Sequence, residues 1–170
     1  MQTGGVEDAF ETYPYEIPGT EEEAEEFLEK RKYANEKGEN TTYLIEKEDS
    51  EHPFLGEVVV KVQEEGVAEL GFWLTSEHWG KGLTPEAAEA VIQVLFERDF
   101  RKIEVQTMES NRKAQKAIEK FIGPLGGEKL GKRETTLGEE AEYTDSDREI
   151  TVVEYELDRE DFTDPAEMNG

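Results

Sequence analysis

The sequence predicts an α/β (α+β) domain in which a mixed, mostly antiparallel sheet carries helices on both faces. Three observations predict it. Strand-like runs at 41–46, 56–63 and 67–75 follow one another with short connections. Glu64-Glu65-Gly66 leaves room only for a tight turn, so the second and third runs form a hairpin. Between the third run and the next, 102–108, lies a helix-period segment at 84–98, so that connection is a crossover and its two strands are parallel.

Each element has its own signal. Residues 1–18 show no period, and Tyr13-Pro14-Tyr15 and Ile17-Pro18 read as extended loop. Thr20 and Glu23 form a capping box, and Ala24, Phe27, Leu28 and Tyr33 mark a helix running to residue 36. Tyr43 and Ile45 alternate with polar neighbours in the first strand, and Val58-Val59-Val60 centres the second. In the crossover helix Thr84 is expected as N-cap and Pro85 at the first helical position, with Ala87, Val91, Val94 and Leu95 as the apolar stripe. Asn111 caps a further helix with Ala114, Ala117, Ile118 and Phe121 on one face, and Gly123-Pro124 ends it. Strands at 128–137 and 150–157 flank an acidic loop, 138–147. Residues 1–160 are expected to form one domain and 161–170 an acidic, solvated tail.

The length of 170 residues supports one well-cored domain. No cysteine is present, which excludes disulfides, thiolate metal sites and a cysteine nucleophile, and two histidines, His52 and His78, are too few for a histidine metal cage; no metal is expected. No apolar run has the length of a membrane span and no signal pattern opens the chain, so a cytoplasmic protein is expected. Forty-three acidic residues against 19 basic ones give a net charge of −24. Such a surface repels nucleic acid and anionic membranes. It suits either a basic partner or, as the favoured reading, a cytoplasm of multimolar salt such as a halophilic archaeon's.

Residues 68–86 carry the strongest chemical signal. An apolar run, Leu70 to Leu74, leads into Trp79-Gly80-Lys81-Gly82-Leu83 and a helix start at Thr84-Pro85-Glu86. A strand, a glycine turn and a helix N-terminus in series make an anion site, and Lys81 adds charge. The turn fits neither the P-loop nor the dinucleotide fingerprint. Ten of the basic residues fall between Arg98 and Arg133, either as a patch for an anionic ligand or as helix salt bridges.

Glu69-Leu70-Gly71-Phe72-Trp73-Leu74, followed by His78-Trp79-Gly80-Lys81-Gly82-Leu83-Thr84-Pro85-Glu86-Ala87, resembles the acetyl-coenzyme A motif of the GNAT N-acetyltransferase superfamily. The resemblance is closest to its RimJ/RimL-like branch. Asn111, then Ala117-Ile118-Glu119-Lys120 and the glycine-rich 123–127, is similar to that branch's downstream element. The resemblance implies acetyl transfer from acetyl-CoA to an amine. It implies that Gly80, Lys81, Gly82, Leu83 and Thr84 cradle the pyrophosphate. Phe72, Trp73 and Leu74 would pair with the pantetheine arm where strands splay, and Arg112 to Lys120, including Lys116, would suit the 3′-phosphate. Four positions depart from the pattern. Glu77 stands where Gln or Arg is frequent, Ala114 replaces a serine, Ile118 replaces a tyrosine acid, and the family's first strand has no counterpart before Tyr13.

An alkylammonium must lose a proton before it attacks a thioester. Glu69, on the strand entering the split, is the first candidate for the base, although ordinary acidic surface accounts for it as well. Asn111 is expected to contact coenzyme or substrate, or simply to cap its helix. His78 reads as a turn residue, and Trp73 and Trp79 as packing residues that could also meet ligand. Two alternatives stay open: a non-catalytic acyl-CoA-binding module, and an acidic interaction protein. The strand at 41–46, with nothing strand-like before it, is expected at a sheet edge. Residues 1–18 folding back, or a homodimer, would cover it; otherwise the natural start lies upstream.

Overall fold

The structure, a computed structural model, describes residues 20–51, 53–140 and 145–168. The expectations for residues 1–18, including the missing first strand, lie outside the described residues, as do His52 and part of the acidic loop. Six strands, β1 (Asn40–Glu46), β2 (Phe54–Glu64), β3 (Val67–Leu74), β4 (Lys102–Met108), β5 (Glu128–Thr136) and β6 (Glu149–Asp158), form one sheet in the order β1-β2-β3-β4-β6-β5. Only β3 and β4 are parallel. Helix α1 (Glu21–Lys37) covers one face, and α2 (Leu83–Glu97) and α3 (Arg112–Ile122) cover the other. Short helices α4 (Leu137–Glu140) and α5 (Pro165–Met168) follow β5 and β6. The mixed fold expected from the sequence is the fold observed.

The core lies between the sheet and the α2–α3 layer. Val58, Leu70, Ile103, Val105, Val153, Tyr155 and Leu157 project from alternate strand positions onto Ile92, Leu95, Ile118 and Phe121. Burying each such apolar side chain contributes about 1.5–3 kcal/mol. The buried stripe of α2 is Ala88, Val91, Ile92, Leu95 and Phe96, so Ala87 and Val94 sit at its margin rather than its centre. The larger Ile92 and Phe96 set the rotation, because facing the sheet removes more apolar area from water.

Helix α1 starts with the expected capping box at Thr20 and Glu23 and stops at Gly38, φ 74°. Its expected apolar face is not its buried face. Leu28 and Tyr33 are exposed, Ala34 is buried, and the Phe27 side chain lies outside the described residues. The sheet beneath is polar: Arg31 donates to Thr42 Oγ1 at 3.2 Å and pairs with buried Glu57 at 2.9 Å.

Two further expectations change. Gly82, in the left-handed region at φ 76°, is the N-cap of α2; Thr84 and Pro85 fall within its first turn, and no side chain caps it. Glycine enters that conformation without the penalty a Cβ imposes, so the helix begins two residues sooner. The solvated tail expected from residue 161 is docked at its start. Phe162 lies against Phe96 with ring centroids 5.0 Å apart, and the Thr163 N–H donates to the Leu125 carbonyl at 2.8 Å.

Candidate functional site

β3 and β4 pair from Val67 with Lys102 to Leu70 with Val105, and there the pairing stops although both strands continue. β3 remains paired with β2, and β4 with β6. The sheet therefore splits beyond Leu70. Among the described residues, the β4-facing edge of β3 at 71–74 has no strand partner. An open strand edge is a template for an extended chain.

The end of β3 runs into a 3₁₀ turn (Ser76–His78) and then the glycine turn. The Trp79 indole N–H donates to the Leu74 carbonyl at 2.7 Å, and His78 Nδ1 lies 2.8 Å from Thr75 Oγ1, so the turn is tied to its strand. Gly80 and Gly82 have φ of 74° and 76°. A Cβ at either would meet nothing within 4 Å among the described residues, so conformation rather than crowding calls for glycine. The first helical bond of α2 runs from the Glu86 N–H to the Gly82 carbonyl. Among the described backbone hydrogen bonds of turns and caps, Gly80, Lys81, Gly82, Leu83 and Thr84 donate none. N–H groups so placed at a helix N-terminus suit an anion.

Helix α3 supplies the facing wall. Asn111 Oδ1 accepts from the Ala114 N–H at 3.0 Å, the expected cap. From it Lys113, Lys116 and Lys120 follow at helical spacing on one side, with Ala114 and Ala117 between them. Lys113 Nζ stands 4.3 Å from the centre of the Trp79 ring, which joins α3 to the glycine turn. The groove so enclosed has a volume of about 500 Å³. Among the described residues no carboxylate lines it, on a chain of net charge −24.

Phe72, Trp73, Leu74, Gly80, Gly82, Leu83, Thr84, Asn111 and Lys116 all line this groove. Lys81 is exposed on the turn outside the lining, and Arg112, the first residue of α3, is outside it too; its charge helps hold the Glu109 carboxyl below its usual range after the bonded Lys132 does most of that. Glu69 is on the opposite face, its Oε2 accepting from Gln63 Nε2 at 3.1 Å. The sequence reading took residues 112–120 as one cluster for the 3′-phosphate and did not separate its members; Lys113, Lys116 and Lys120 line the groove and Arg112 does not.

The basic cluster divides by element. On the strands and just before β4, Arg101 pairs with Glu64 at 2.8 Å, Lys102 with Glu156 at 2.9 Å and Arg133 with Glu154 at 2.7 Å. On α3 the lysines face the groove. Neither hydroxyl expected from the wider family stands at the groove: Ala114 lines it, and Ile118 is fully buried in the core. Tyr155 is no substitute. Its hydroxyl donates to Glu119 at 3.2 Å, and burial and that carboxylate push its pKa up to about 12. Among the described residues no cluster of His, Cys, Asp and Glu could hold a metal ion, and no helix is long and apolar enough to cross a membrane.

Residues 6–121, more than half the chain, match the family model for an acetyltransferase (GNAT) domain. A curated relative, the uncharacterized protein YkkB of Bacillus subtilis (strain 168), is 31% identical over 91 residues, 51% of this chain and 53% of that protein. The match thus spans about half the relative's length. Among solved structures, a spermidine N-acetyltransferase from Vibrio cholerae in complex with CoA and spermine superposes with a TM-score of 0.68 at 17% identity, over 92% of this chain and 86% of its own. A ribosomal-protein-S5-alanine acetyltransferase from Vibrio fischeri does so with a TM-score of 0.63 at 17% identity, over 94% and 88%. These two likenesses concern the fold. The family match covers the split strand, the glycine turn and α3 together, and by it the chain belongs to the GNAT acetyltransferase family.

Proposed function

We propose that the chain binds acetyl-CoA in this groove and transfers the acetyl group to a primary amine in a ternary complex. The carrying observation is a cationic groove, between an open strand edge and a glycine-turn cradle, on a strongly acidic chain. The ligand's three parts suit three features. The extended amide arm suits the edge at Phe72, Trp73 and Leu74, and the pyrophosphate suits the N–H groups of Gly80, Lys81, Gly82, Leu83 and Thr84. The 3′-phosphate suits Lys116 and its neighbours Lys113 and Lys120.

When bound, the coenzyme would supply a thioester whose carbonyl carbon accepts the amine lone pair while the C–S bond breaks and the thiolate leaves, taking a proton from solvent. The backbone N–H groups along the open edge of β3 are the donors available to the thioester oxygen. Asn111 holds its helix through Oδ1 and lines the groove, where we place it against coenzyme or substrate. Glu69 is the proposed base, taking the ammonium proton directly or through water from the α1 face of the sheet. The acceptor is a protein N-terminus, a polyamine or a small amine; the neighbours are named for spermidine and for a ribosomal-protein alanine. We place the protein in a salt-rich cytoplasm, on the strength of its charge.

Calorimetric titration with acetyl-CoA in multimolar potassium chloride tests the coenzyme, and thiol release with a panel of amines tests the transfer. Binding without thiol release would favour a non-catalytic acyl-CoA module, the reading that Ala114 and Ile118 support by leaving those positions without a hydroxyl.

A further inference from the structure

Three separate segments build the groove: the open edge of β3, the glycine turn and α3. One side chain joins all three. Trp79 opens the glycine turn, its indole N–H donates to the Leu74 carbonyl of β3 at 2.7 Å, and Lys113 Nζ of α3 stands 4.3 Å from its ring centre. Trp79 is half-buried and lines the groove. The indole N–H of such a tryptophan takes a partner as a rule, so the choice of partner carries the information.

The partner lies on the ligand's side of the strand. The Thr75 N–H donates to the Leu55 carbonyl at 2.9 Å, while Leu74 lies opposite Gly56 in the antiparallel register. Successive residues of a strand turn their N–H and C=O to opposite sides of the ladder. Thr75 faces β2, so Leu74 and Phe72 face the other way, toward the edge where pairing with β4 has stopped. The Leu74 carbonyl is therefore the last acceptor of β3 on that edge, and it is already taken. An extended chain laid there finds the Phe72 carbonyl as acceptor and the Leu74 N–H as donor. A slip of two residues along the edge, roughly 6.6 Å, meets the occupied carbonyl instead.

We infer that Trp79 is a positioning residue for the coenzyme. By occupying the Leu74 carbonyl it sets the register of the extended arm on β3, and by standing under Lys113 it holds the glycine turn at a fixed spacing from that edge. This role rests on the coenzyme reading above. A ligand that spans the strand edge and the glycine turn gains from their fixed spacing, and a ligand that meets the turn alone does not. A slipped arm would carry the thioester carbon out of reach of a placed nucleophile.

The test compares wild type with Trp79→Phe, which keeps a ring under Lys113 and removes the N–H. The probes are acetyl-CoA and adenosine 3′,5′-bisphosphate, which has phosphates and no arm. By calorimetry acetyl-CoA should weaken about three- to tenfold, the scale of one hydrogen bond, with the bisphosphate Kd unchanged. A second measurement uses wild type itself. The chain has two tryptophans, so comparison with Trp73→Phe identifies the Trp79 indole N–H resonance. That N–H should be protected from hydrogen exchange in the free protein and stay protected with acetyl-CoA bound. Loss of protection on binding would overturn the inference, because the ligand would then have taken the Leu74 carbonyl. Unchanged acetyl-CoA affinity in Trp79→Phe would overturn it, and so would an equal or larger loss for the bisphosphate. Failure of wild type to bind acetyl-CoA at all would instead strike the coenzyme reading.

Discussion

Gly82 does two things at once: it turns the chain through a left-handed φ of 76° and, as N-cap, it leaves the first N–H groups of α2 without a side-chain cap. Gly82→Val should therefore abolish acetyl-CoA binding in calorimetry while costing the fold only about 1–2 kcal/mol, the penalty of a left-handed L-residue. Unchanged affinity would remove the cradle from the argument. The lysines of α3 make a separable test. Lys116→Gln and Lys120→Gln should each weaken acetyl-CoA more than its 3′-dephosphorylated analogue, whereas Arg112→Gln should affect both little, because Arg112 is outside the groove lining. Each loss should stay under about fivefold, since an exposed ion pair contributes at most about 1 kcal/mol, and should shrink in salt. Equal losses for the two ligands would assign the stripe another role.

At the scale of elements, Arg133 of β5 joins three others. It donates to Glu140 of α4 at 2.8 Å, Glu154 of β6 at 2.7 Å and Gln106 of β4 at 3.1 Å. Burial pushes the Glu140 carboxyl up, but hydrogen bonds from Arg133, Gln106 and Thr135 outweigh it and hold the group below its ordinary value of 4.5. A carboxyl depressed on folding adds stability that is complete above its unfolded value and is lost as pH falls through its folded value. Melting temperature should therefore decline below about pH 4.5, and less steeply in Glu140→Gln. Identical slopes would mean the clamp adds nothing. At the other edge, β1 borders only β2 among the described residues and presents Leu44 to solvent. We expect that edge to be covered in solution, by residues 1–18 or by a second copy. Light scattering in high salt with and without residues 1–18 decides between them. A deletion variant that stays a stable monomer, its edge open, would refute both.

Over the whole molecule a net charge of −24 repels itself, and the strand ion pairs offset only part of that. Screening falls as salt is withdrawn, so the unfolding midpoint followed by circular dichroism should drop steadily from multimolar to dilute potassium chloride. Full stability in dilute buffer would favour a basic partner as the reason for the acidity. The same charge gives the groove its contrast: among the described residues Lys113, Lys116 and Lys120 line it with no carboxylate, and the proposed phosphate-bearing ligand would be drawn to that face.

What the sequence determined by itself was local. The capping box at Thr20 and Glu23, the Asn111 cap, the hairpin turn at Glu65-Gly66 and the strand alternation all rest on interactions a few residues apart, and all appear in the fold. The glycine turn was legible for the same reason. Tertiary structure decided what depends on distant segments. β3 and β4 part after Leu70 because β4 follows β6 while β3 follows β2, a choice no local period records. The rotation of α3 chose Lys113, Lys116 and Lys120 over Arg112, since packing Ile118 and Phe121 into the core fixes which side chains face the groove. Strand parity set Glu69 on the α1 face, opposite the lysines, and burial of Phe162 against Phe96 drew in a segment whose acidic composition reads as tail. Local hydrogen bonding writes the elements, and the removal of apolar surface from water settles how they turn toward one another.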